Sequence, residues 1–227
     1  EADLLERVRE RQPSRSSSQR RDAIASVYDA DARFSTRDNH KKAYVGYKEH
    51  IVQDASSGII TCATVTGANV DDSTQLQDLI AKHEAVTGDR PESVAADAKY
   101  HTGPNHAAMC AAAIRAMIAV PAAKGEKQGL FTTADFLHDR VGDCVMCPGG
   151  KLASGGKYDA KAQGLEYYFT KSQCLDCPLR QLCSKREYGR TVFISDYRDL
   201  IQEARAAKDT PEAKQAQIDR LNIERTF

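Results

Sequence analysis

Apolar and polar residues alternate in short runs along the first half of the chain, and each run predicts one structural element. Residues 43–52 and 59–66 are rich in aromatic and β-branched side chains, and turn-forming residues 54–58 join them. This pattern predicts a β-hairpin. Leucine and isoleucine within 76–80 recur at three- and four-residue spacing, which marks the apolar face of a helix. The polar segment 35–42, before the hairpin, predicts a loop.

A strand–helix–strand pattern follows this helix. The short apolar run 93–96 is typical of a buried strand. The alanine-rich residues 105–116 predict a helix, and residues 117–120 predict a strand that Pro121 closes. Strands that alternate with helices indicate an α/β or α+β fold.

Asp97 directly follows the run 93–96, so it is placed at the carboxyl end of the predicted strand. In open α/β sheets this edge is where ligands bind. A carboxylate at this position has two interpretations. It can be a solvated turn or cap residue, or it can bind Mg²⁺, which takes oxygen ligands and shares its coordination shell with substrate phosphates.

The pattern changes in the second half and suggests four segments. Residues 1–27 are charged and polar and predict a linker, and residues 28–121 form the predicted core. Residues 122–190, rich in glycine, charge and cysteine, predict an insert in that core. Residues 191–227 predict a C-terminal helical part, interrupted at Thr210 and Pro211.

Composition restricts the partners and the compartment. The 227 residues carry a formal net charge of zero, so any nucleic-acid surface must be a local one. No apolar stretch approaches the ~18 residues of a membrane span, and no secretory leader is recognisable. We therefore expect a cytoplasmic protein with no membrane partner.

Five of the seven cysteines lie between residues 144 and 183. Their spacing is Cys144-x2-Cys147, then Cys174-x2-Cys177-x5-Cys183. Paired Cys-x2-Cys turns indicate a metal site, since two thiolates in one turn can span a tetrahedral ion such as Zn²⁺. An iron–sulfur cluster also takes four thiolates and is a competing interpretation. Five free buried cysteines are the third.

The end of the insert is locally basic. Arg180, Lys185, Arg186 and Arg190 lie close together in sequence. Such a cluster suits contact with nucleic-acid phosphates. A solvated protein surface has the same composition, and the sequence does not separate the two interpretations.

Three groups of residues in this order resemble the DDE-type transposases of bacterial insertion sequences. The first group runs from Gly46 through the segment 69–73, and the second is Asp97-Ala98-Lys99-Tyr100-His101. The third is the helical segment 220–227, in which Arg220 lies four residues before Glu224. Cysteine-bearing inserts with the Cys147-Pro148 pair occur in one branch of that family.

The resemblance implies an RNase H-like fold, in which a mixed sheet is flanked by helices, together with a small cysteine-rich metal-binding insert. It also implies three carboxylates that bind two Mg²⁺ or Mn²⁺ ions. Asp97 corresponds to the second acid and Glu224 to the third. We expect the first acid upstream of Glu1, with Asp31 as its substitute within the chain. This chain would then be a fragment that is inactive alone.

The resemblance assigns further residues to metal and DNA. It aligns Cys147, so the expected metal ligands are Cys147, Cys174, Cys177 and Cys183, with Cys144 as a spare. DNA, meaning transposon ends and target, is the implied partner, and the full-length protein is expected to be a nucleoid-associated homodimer. The candidate DNA contacts are Lys99, His101, Arg180, Lys185, Arg186, Arg190 and Arg220.

The predicted function is metal-dependent cleavage and transfer of DNA strands by a transposase catalytic domain. Two alternatives from other classes stay open. One is a non-catalytic DNA-binding remnant of a transposase, and the other is an iron–sulfur nuclease. His50 and His101 can flank the metals or contact DNA, although a structural role is the commoner one for a single histidine.

Overall fold

The computed structural model describes residues 22–26, 28–37, 42–185 and 188–224. The backbone forms two compact units, one within residues 1–92 and 219–227 and the other of residues 93–218. The four-segment division expected from the sequence remains a prediction. The helices and strands together form a mixed α/β structure.

Eleven strands and six α-helices lie in the described ranges. The strands are β1 (Arg33–Arg37), β2 (Lys42–Gln53), β3 (Ile60–Gly67), β4 (Ser93–Ala96), β5 (Arg115–Ile118), β6 (Leu137–Asp139), β7 (Cys144–Met146), β8 (Leu152–Ser154), β9 (Lys157–Asp159), β10 (Gly164–Phe169) and β11 (Arg190–Ser195). The helices are α1 (Leu76–Thr87), α2 (Gly103–Ala111), α3 (Lys171–Leu175), α4 (Arg180–Cys183), α5 (Arg198–Ala207) and α6 (Pro211–Glu224).

The first unit is built on an antiparallel sheet in the order β1-β2-β3. The β2–β3 hairpin and helix α1 confirm the sequence pattern, and α1 buries its three predicted apolar residues, Leu76, Leu79 and Ile80. The loop expected over 35–42 is wrong where β1 and β2 extend into it. Four of the five β1 side chains are polar, but pairing with β2, as in Phe34 with Val45, satisfies the strand's backbone.

His50 on β2 has a structural environment in this unit. Its side chain is buried, and its Nε2 lies 3.0 Å from Thr66 Oγ1 on β3. A buried imidazole needs such a partner, because an unpaired polar group costs free energy when it leaves water. The interpretation of His50 as a structural histidine therefore agrees with its contacts.

The second unit contains the predicted strand–helix–strand pattern. Strand β4 is not the buried strand that the sequence predicts, because only Ala96 of its four residues is buried. Strands β4 and β5 pair in parallel, with Ala96 opposite Ile118. Helix α2 is shorter than the predicted 105–116 and begins earlier, because the Thr102 side chain accepts a hydrogen bond from the Asn105 backbone N–H. The chain then turns at Ala113, whose φ is 57°, and strand β5 starts before the predicted 117.

The predicted insert is rich in short strands and has a core of its own. Its strands belong to two antiparallel sheets, in the orders β6-β7-β8 and β11-β10-β9. Strand β11 (Arg190–Ser195) runs beyond the predicted end of the insert at 190, so the expectation that the segment from 191 is helical is wrong for these residues. The buried residues of this region make one cluster, namely Phe136, Val145, Ala153, Tyr167, Phe169, Val192 and Ile194. This core supports the cysteine loops described below.

Two helices follow the last strand, as the sequence predicts. Helix α5 ends just before the Asp209–Thr210 turn, and α6 starts at Pro211, where proline is tolerated in the first helical turn. Within the described ranges, no helix combines the length and the apolar character needed to cross a membrane.

Candidate active site and cysteine cluster

Asp97 lies immediately after β4, at the strand's carboxyl end, as the sequence predicts. It is half-buried and caps a short 3₁₀ turn, in which its Oδ1 accepts a hydrogen bond of 2.7 Å from the Lys99 backbone N–H. This bond fixes the carboxylate relative to the strand end. Among the described residues, no donor contacts its Oδ2. The cap role and a role as a metal ligand are therefore compatible.

The segment after Asp97 is held by buried polar contacts. The Asn105 side chain is 5% exposed, and its Nδ2 donates to the Tyr100 carbonyl at 3.1 Å. The Thr102 hydroxyl caps helix α2. The Lys99 side chain is exposed. The chain from Asp97 to α2 thus has a defined path next to the strand end.

His101 and His106 form a pair at the start of α2. The His101 Nδ1 lies 2.9 Å from the His106 Nε2. Burial, together with the smaller effects of the neighbouring His106 and Arg205, lowers the pKa of His101 to about 4. Burial also lowers the pKa of His106. Both rings are therefore neutral at pH 7, which gives His101 little electrostatic attraction for a phosphate.

Helix α6 contacts the ends of both parallel strands. The Gln217 Nε2 lies 3.3 Å from the Ala96 carbonyl oxygen and 2.5 Å from that of Met117.

Glu224 is the last described residue of α6, and its side chain lies outside the described part of the chain. Asp97 and Glu224 belong to different units, so the shared metal pair stays a prediction. Arg220, on α6, is half-buried.

Asp31, the expected substitute for the first acid, precedes β1 and does not end a strand. Its backbone N–H donates to Asp29 Oδ1, which also accepts a 2.6 Å hydrogen bond from the Tyr47 hydroxyl. The Tyr47 bond lowers the pKa of Asp29 and raises that of Tyr47 to about 12. Asp29 is thus held in a turn, and the Asp31 side chain is exposed.

Four of the five clustered cysteines line one cavity in the second unit. They are Cys147, Cys174, Cys177 and Cys183, the set that the resemblance implies, and the cavity wall also contains phenylalanine side chains. Cys144 lies on β7 and is not part of the wall. The role of Cys144 as a spare ligand stays a prediction.

The loop that carries Cys147 is tightly turned. The Lys151 backbone N–H lies 3.3 Å from the Cys147 Sγ, and the Cys147 N–H donates to the Lys151 carbonyl at 2.9 Å. A Cβ on Gly149 would lie 3.1 Å from Cys177 Sγ and 3.7 Å from Cys147 Sγ. A side chain at position 149 would therefore crowd both sulfur atoms.

Two arginines expected to contact DNA donate hydrogen bonds to the backbone of the cysteine loops. The Arg180 Nη1 donates to the Cys174 carbonyl at 3.0 Å. Arg190 donates to the carbonyls of Cys183 and Phe131, and its guanidinium lies 5.1 Å from the centre of the Phe136 ring. Lys185 is exposed, and Arg186 lies outside the described residues.

The cysteine environment favours the neutral thiol at Cys183. Burial raises the pKa of this thiol, and the charge of Arg190 opposes the rise.

In the ranges that the structure describes, no three histidine, cysteine, aspartate or glutamate side chains are arranged to hold a metal ion. The expected Zn²⁺ or iron–sulfur site is therefore not preformed by these side chains.

The hydrogen bonds that support the candidate site have no local signal in the sequence. The Gln217 contact depends on residues more than 100 positions apart in sequence, and no local pattern marks a glutamine for it. Arg180 and Arg190 gave a signal as a basic cluster. That signal could not distinguish hydrogen bonds within the fold from contact with phosphates.

The family assignment comes from comparison with known proteins. A model of the family described as "Transposase DDE domain" matches residues 15–196. Neither a search of curated proteins nor a search of solved structures returned a match. The matched segment contains Asp97 and all five clustered cysteines, and it ends before Glu224. Because it covers well over half of the 227 residues, the chain belongs to the family of transposase DDE domains, as its resemblance to DDE-type transposases indicated.

Proposed function

We propose that this chain is the catalytic domain of a transposase that cleaves and transfers DNA strands with divalent metal ions. The observation that carries the proposal is the position of Asp97, directly after β4 in the segment matched by the family. A carboxylate at the end of a parallel strand lies at the edge where α/β sheets bind ligands.

The proposed chemistry is phosphoryl transfer. Catalysis of this reaction consists mainly of positioning and charge neutralisation. Two Mg²⁺ or Mn²⁺ ions would activate a water or a 3′-hydroxyl and stabilise the leaving oxygen. Asp97 and Glu224 would each hold metal, and the first acid would come from upstream of Glu1 or from Asp31. The Lys99 N–H bond to Asp97 Oδ1 would orient that carboxylate before a metal arrives.

The test uses the full-length transposase and DNA that carries the ends of its element. Asp97→Asn should abolish Mn²⁺-dependent nicking, because the amide cannot supply an anionic ligand. Asp89→Asn removes a carboxylate from the exposed turn before β4 and serves as the matched control. Nicking by Asp97→Asn at the wild-type rate would refute the proposal.

The same assay separates the alternatives. A non-catalytic remnant would bind end DNA without nicking it in any metal. An iron–sulfur nuclease would lose its activity with its iron and would not depend on Asp97. This chain alone should bind metal weakly and fail to nick DNA, and robust nicking by it would make Asp31 the first candidate for the missing acid.

For the insert we propose one metal ion, Zn²⁺ or the iron of an Fe–S cluster, held by Cys147, Cys174, Cys177 and Cys183. Support comes from the shared cavity and from the Lys151 N–H that faces Cys147 Sγ. Ligation would require the four sulfur atoms to converge to about 2.3 Å from a zinc ion. Elemental analysis of protein purified without chelators tests this, and absence of both zinc and iron would refute it.

DNA is the proposed partner, and the full-length protein is proposed to act as a homodimer. Among the candidate DNA contacts, Lys99 and Lys185 are exposed and suit phosphates best. Replacing Lys99 by alanine should weaken DNA binding and reduce its salt dependence. An unchanged salt dependence would exclude Lys99 as a phosphate contact.

A further inference from the structure

Helix α6 is not fixed by a buried apolar face. Within its described side chains none is buried, and Ile218 and Leu221 are 57% and 39% exposed. Most helices in proteins are positioned by packing of an apolar stripe. The position of α6 must therefore depend strongly on its polar contacts.

Gln217 makes a polar contact of an unusual kind. Its Nε2 reaches the carbonyl oxygens of Ala96 and Met117, at 3.3 Å and 2.5 Å. A side-chain amide nitrogen carries two hydrogens, so it can donate one to each carbonyl. The Ala96 oxygen also accepts from the Ala119 N–H at 2.9 Å. One side chain thus joins α6 to the ends of both parallel strands.

The contact lies next to the proposed catalytic acid in the chain. Ala96 is the last residue of β4, and Asp97 follows it directly. Gln217 precedes Glu224 by seven residues on the same helix. Seven residues make about two helical turns, or about 10 Å, so the two positions share a face of the helix. A shift of α6 by one residue would rotate that face by about 100°.

We propose that Gln217 is a positioning residue of the transposase reaction. It holds α6 at residue 217 against the ends of β4 and β5, directly before Asp97, and α6 is the helix that continues to the acid at position 224. This inference rests on the proposed function of Asp97 and Glu224. The Gln217 contacts that carry the inference are to the backbone carbonyls of Ala96 and Met117, so the role is one of positioning.

The contacts of a second residue, Arg205, should limit the structural effect of losing the Gln217 hydrogen bonds. On the preceding helix, the Arg205 Nη1 donates to the Pro121 carbonyl at 3.1 Å and lies 3.6 Å from Glu126 Oε2. Helices α5 and α6 are joined by a short turn in which the Thr210 hydroxyl caps α6. Loss of the Gln217 contact should therefore displace α6 locally and leave the unit folded.

The test compares three variants of the full-length transposase in cleavage of end DNA. Gln217→Met keeps the length and charge of the side chain and removes its donors. Gln217→Lys keeps donors, and Gln215→Met makes the same replacement at an exposed position of α6. A displacement of about 1 Å can cost up to about 100-fold in rate. We expect Gln217→Met to lower kcat about tenfold or more, with KM for DNA unchanged.

The controls separate positioning from folding. Gln217→Lys should recover most of the lost kcat, and Gln215→Met should keep the wild-type value. Methionine and glutamine have similar helix propensities, so a weaker helix would not explain the loss. If Gln217→Met does not fold, the kcat of Gln217→Glu, compared with that of Gln215→Glu, tests the same positioning role.

Two results have distinct meanings. If Gln217→Met retains the wild-type kcat while Asp97→Asn is inactive, the positioning role is refuted and the proposed function stands. If Asp97→Asn cleaves normally, the proposed function fails, whatever Gln217 does. A fall in kcat that Gln217→Lys does not relieve would also overturn the inference, because the donors would then not be what matters.

Discussion

The His101 Nδ1 lies 2.9 Å from the His106 Nε2, with the two rings edge to face at 4.8 Å between centroids. The other His101 nitrogen, Nε2, is buried and has no hydrogen-bond partner among the described residues. One proton can therefore be shared between His101 Nδ1 and His106 Nε2. A second proton at this contact would place two N–H groups against each other, and this repulsion, like burial, disfavours the charged rings.

This pair predicts that the protein loses stability as the pH falls. The ordinary histidine pKa is 6.5, and in the folded chain the pKa of His101 is lowered to about 4. Between these values the unfolded chain binds a proton that the folded chain does not, so the free energy of unfolding decreases with decreasing pH. The contribution is fully present above pH 6.5 and is lost progressively towards pH 4.

Urea unfolding at pH 7 and pH 5 measures this effect. His101→Gln should reduce the difference between the two midpoints, since glutamine does not titrate. His83→Gln, at a histidine that hydrogen-bonds Thr61 in the first unit, is the control and should leave the difference unchanged. A midpoint difference that is the same in wild type and His101→Gln would contradict the prediction.

Tyr167→Phe should destabilise the β-rich part of the second unit. The Tyr167 side chain is fully buried, its hydroxyl donates to Asp143 Oδ1 at 2.7 Å, and His138 Nε2 lies 3.1 Å from it. Phenylalanine would remove the hydroxyl contacts to Asp143, which is exposed, and His138, which is half-buried, and loss of a typical hydrogen bond costs about 0.5–1.5 kcal/mol. The measurement is the free energy of unfolding in urea, with the metal content of both proteins matched.

Tyr158→Phe provides the comparison for that experiment. Tyr158 is exposed, and its hydroxyl donates to Asp196 at 2.8 Å. Surface substitutions of this kind usually change stability by less than about 0.5 kcal/mol. Equal effects of the two substitutions would mean that the buried network around Tyr167 adds no stability.

Elements with a local apolar signal could be predicted from the sequence, and those held by distant pairing could not. The β2–β3 hairpin, helix α1 and strand β4 with Asp97 at its end follow from period and turn chemistry. Strand β1 has mostly polar side chains and is stabilised by its pairing with β2. The three-residue strands of the predicted insert are too short for a period to be recognised in the sequence.

The candidate site divides in the same way. Asp97 and the cysteine spacing are visible in the sequence because each chemistry requires particular residue types at short separation. The hydrogen bonds of Gln217 and of Arg190 join residues far apart in the chain. Such contacts depend on how elements pack, and a single sequence contains no local record of it.

Removal of one predicted metal ligand should empty the cysteine site. Cys177→Ser should reduce bound zinc or iron from about one site per chain to a trace, because a neutral hydroxyl is a poor substitute for a thiolate. It should also lower the thermal midpoint, since metal binding contributes folding energy in small metal modules. Elemental analysis and thermal unfolding are the measurements.

The other cysteines of the chain supply the controls. Cys144 lies outside the cavity wall, and Cys110 lies exposed on α2. Cys144→Ser and Cys110→Ser should both keep the metal content of the wild type. Loss of metal in Cys144→Ser would show that the fifth cysteine is a ligand and that the proposed set of four is incorrect.

Arg190→Lys should destabilise the cysteine loops although it keeps the positive charge. The guanidinium donates to the carbonyls of Cys183 and Phe131 while it packs on the Phe136 ring. A lysine ammonium lacks the planar fork that makes these contacts together, and loss of hydrogen bonds to a charged donor costs about 1.5–3 kcal/mol. The free energy of unfolding should fall by that amount, and DNA affinity should change little.

Lys185→Ala, at an exposed position, should lower DNA affinity and leave the free energy of unfolding unchanged, since a phosphate contact adds binding energy without supporting the fold. If Arg190→Lys unfolds like the wild type, the internal contacts of Arg190 do not stabilise the loops.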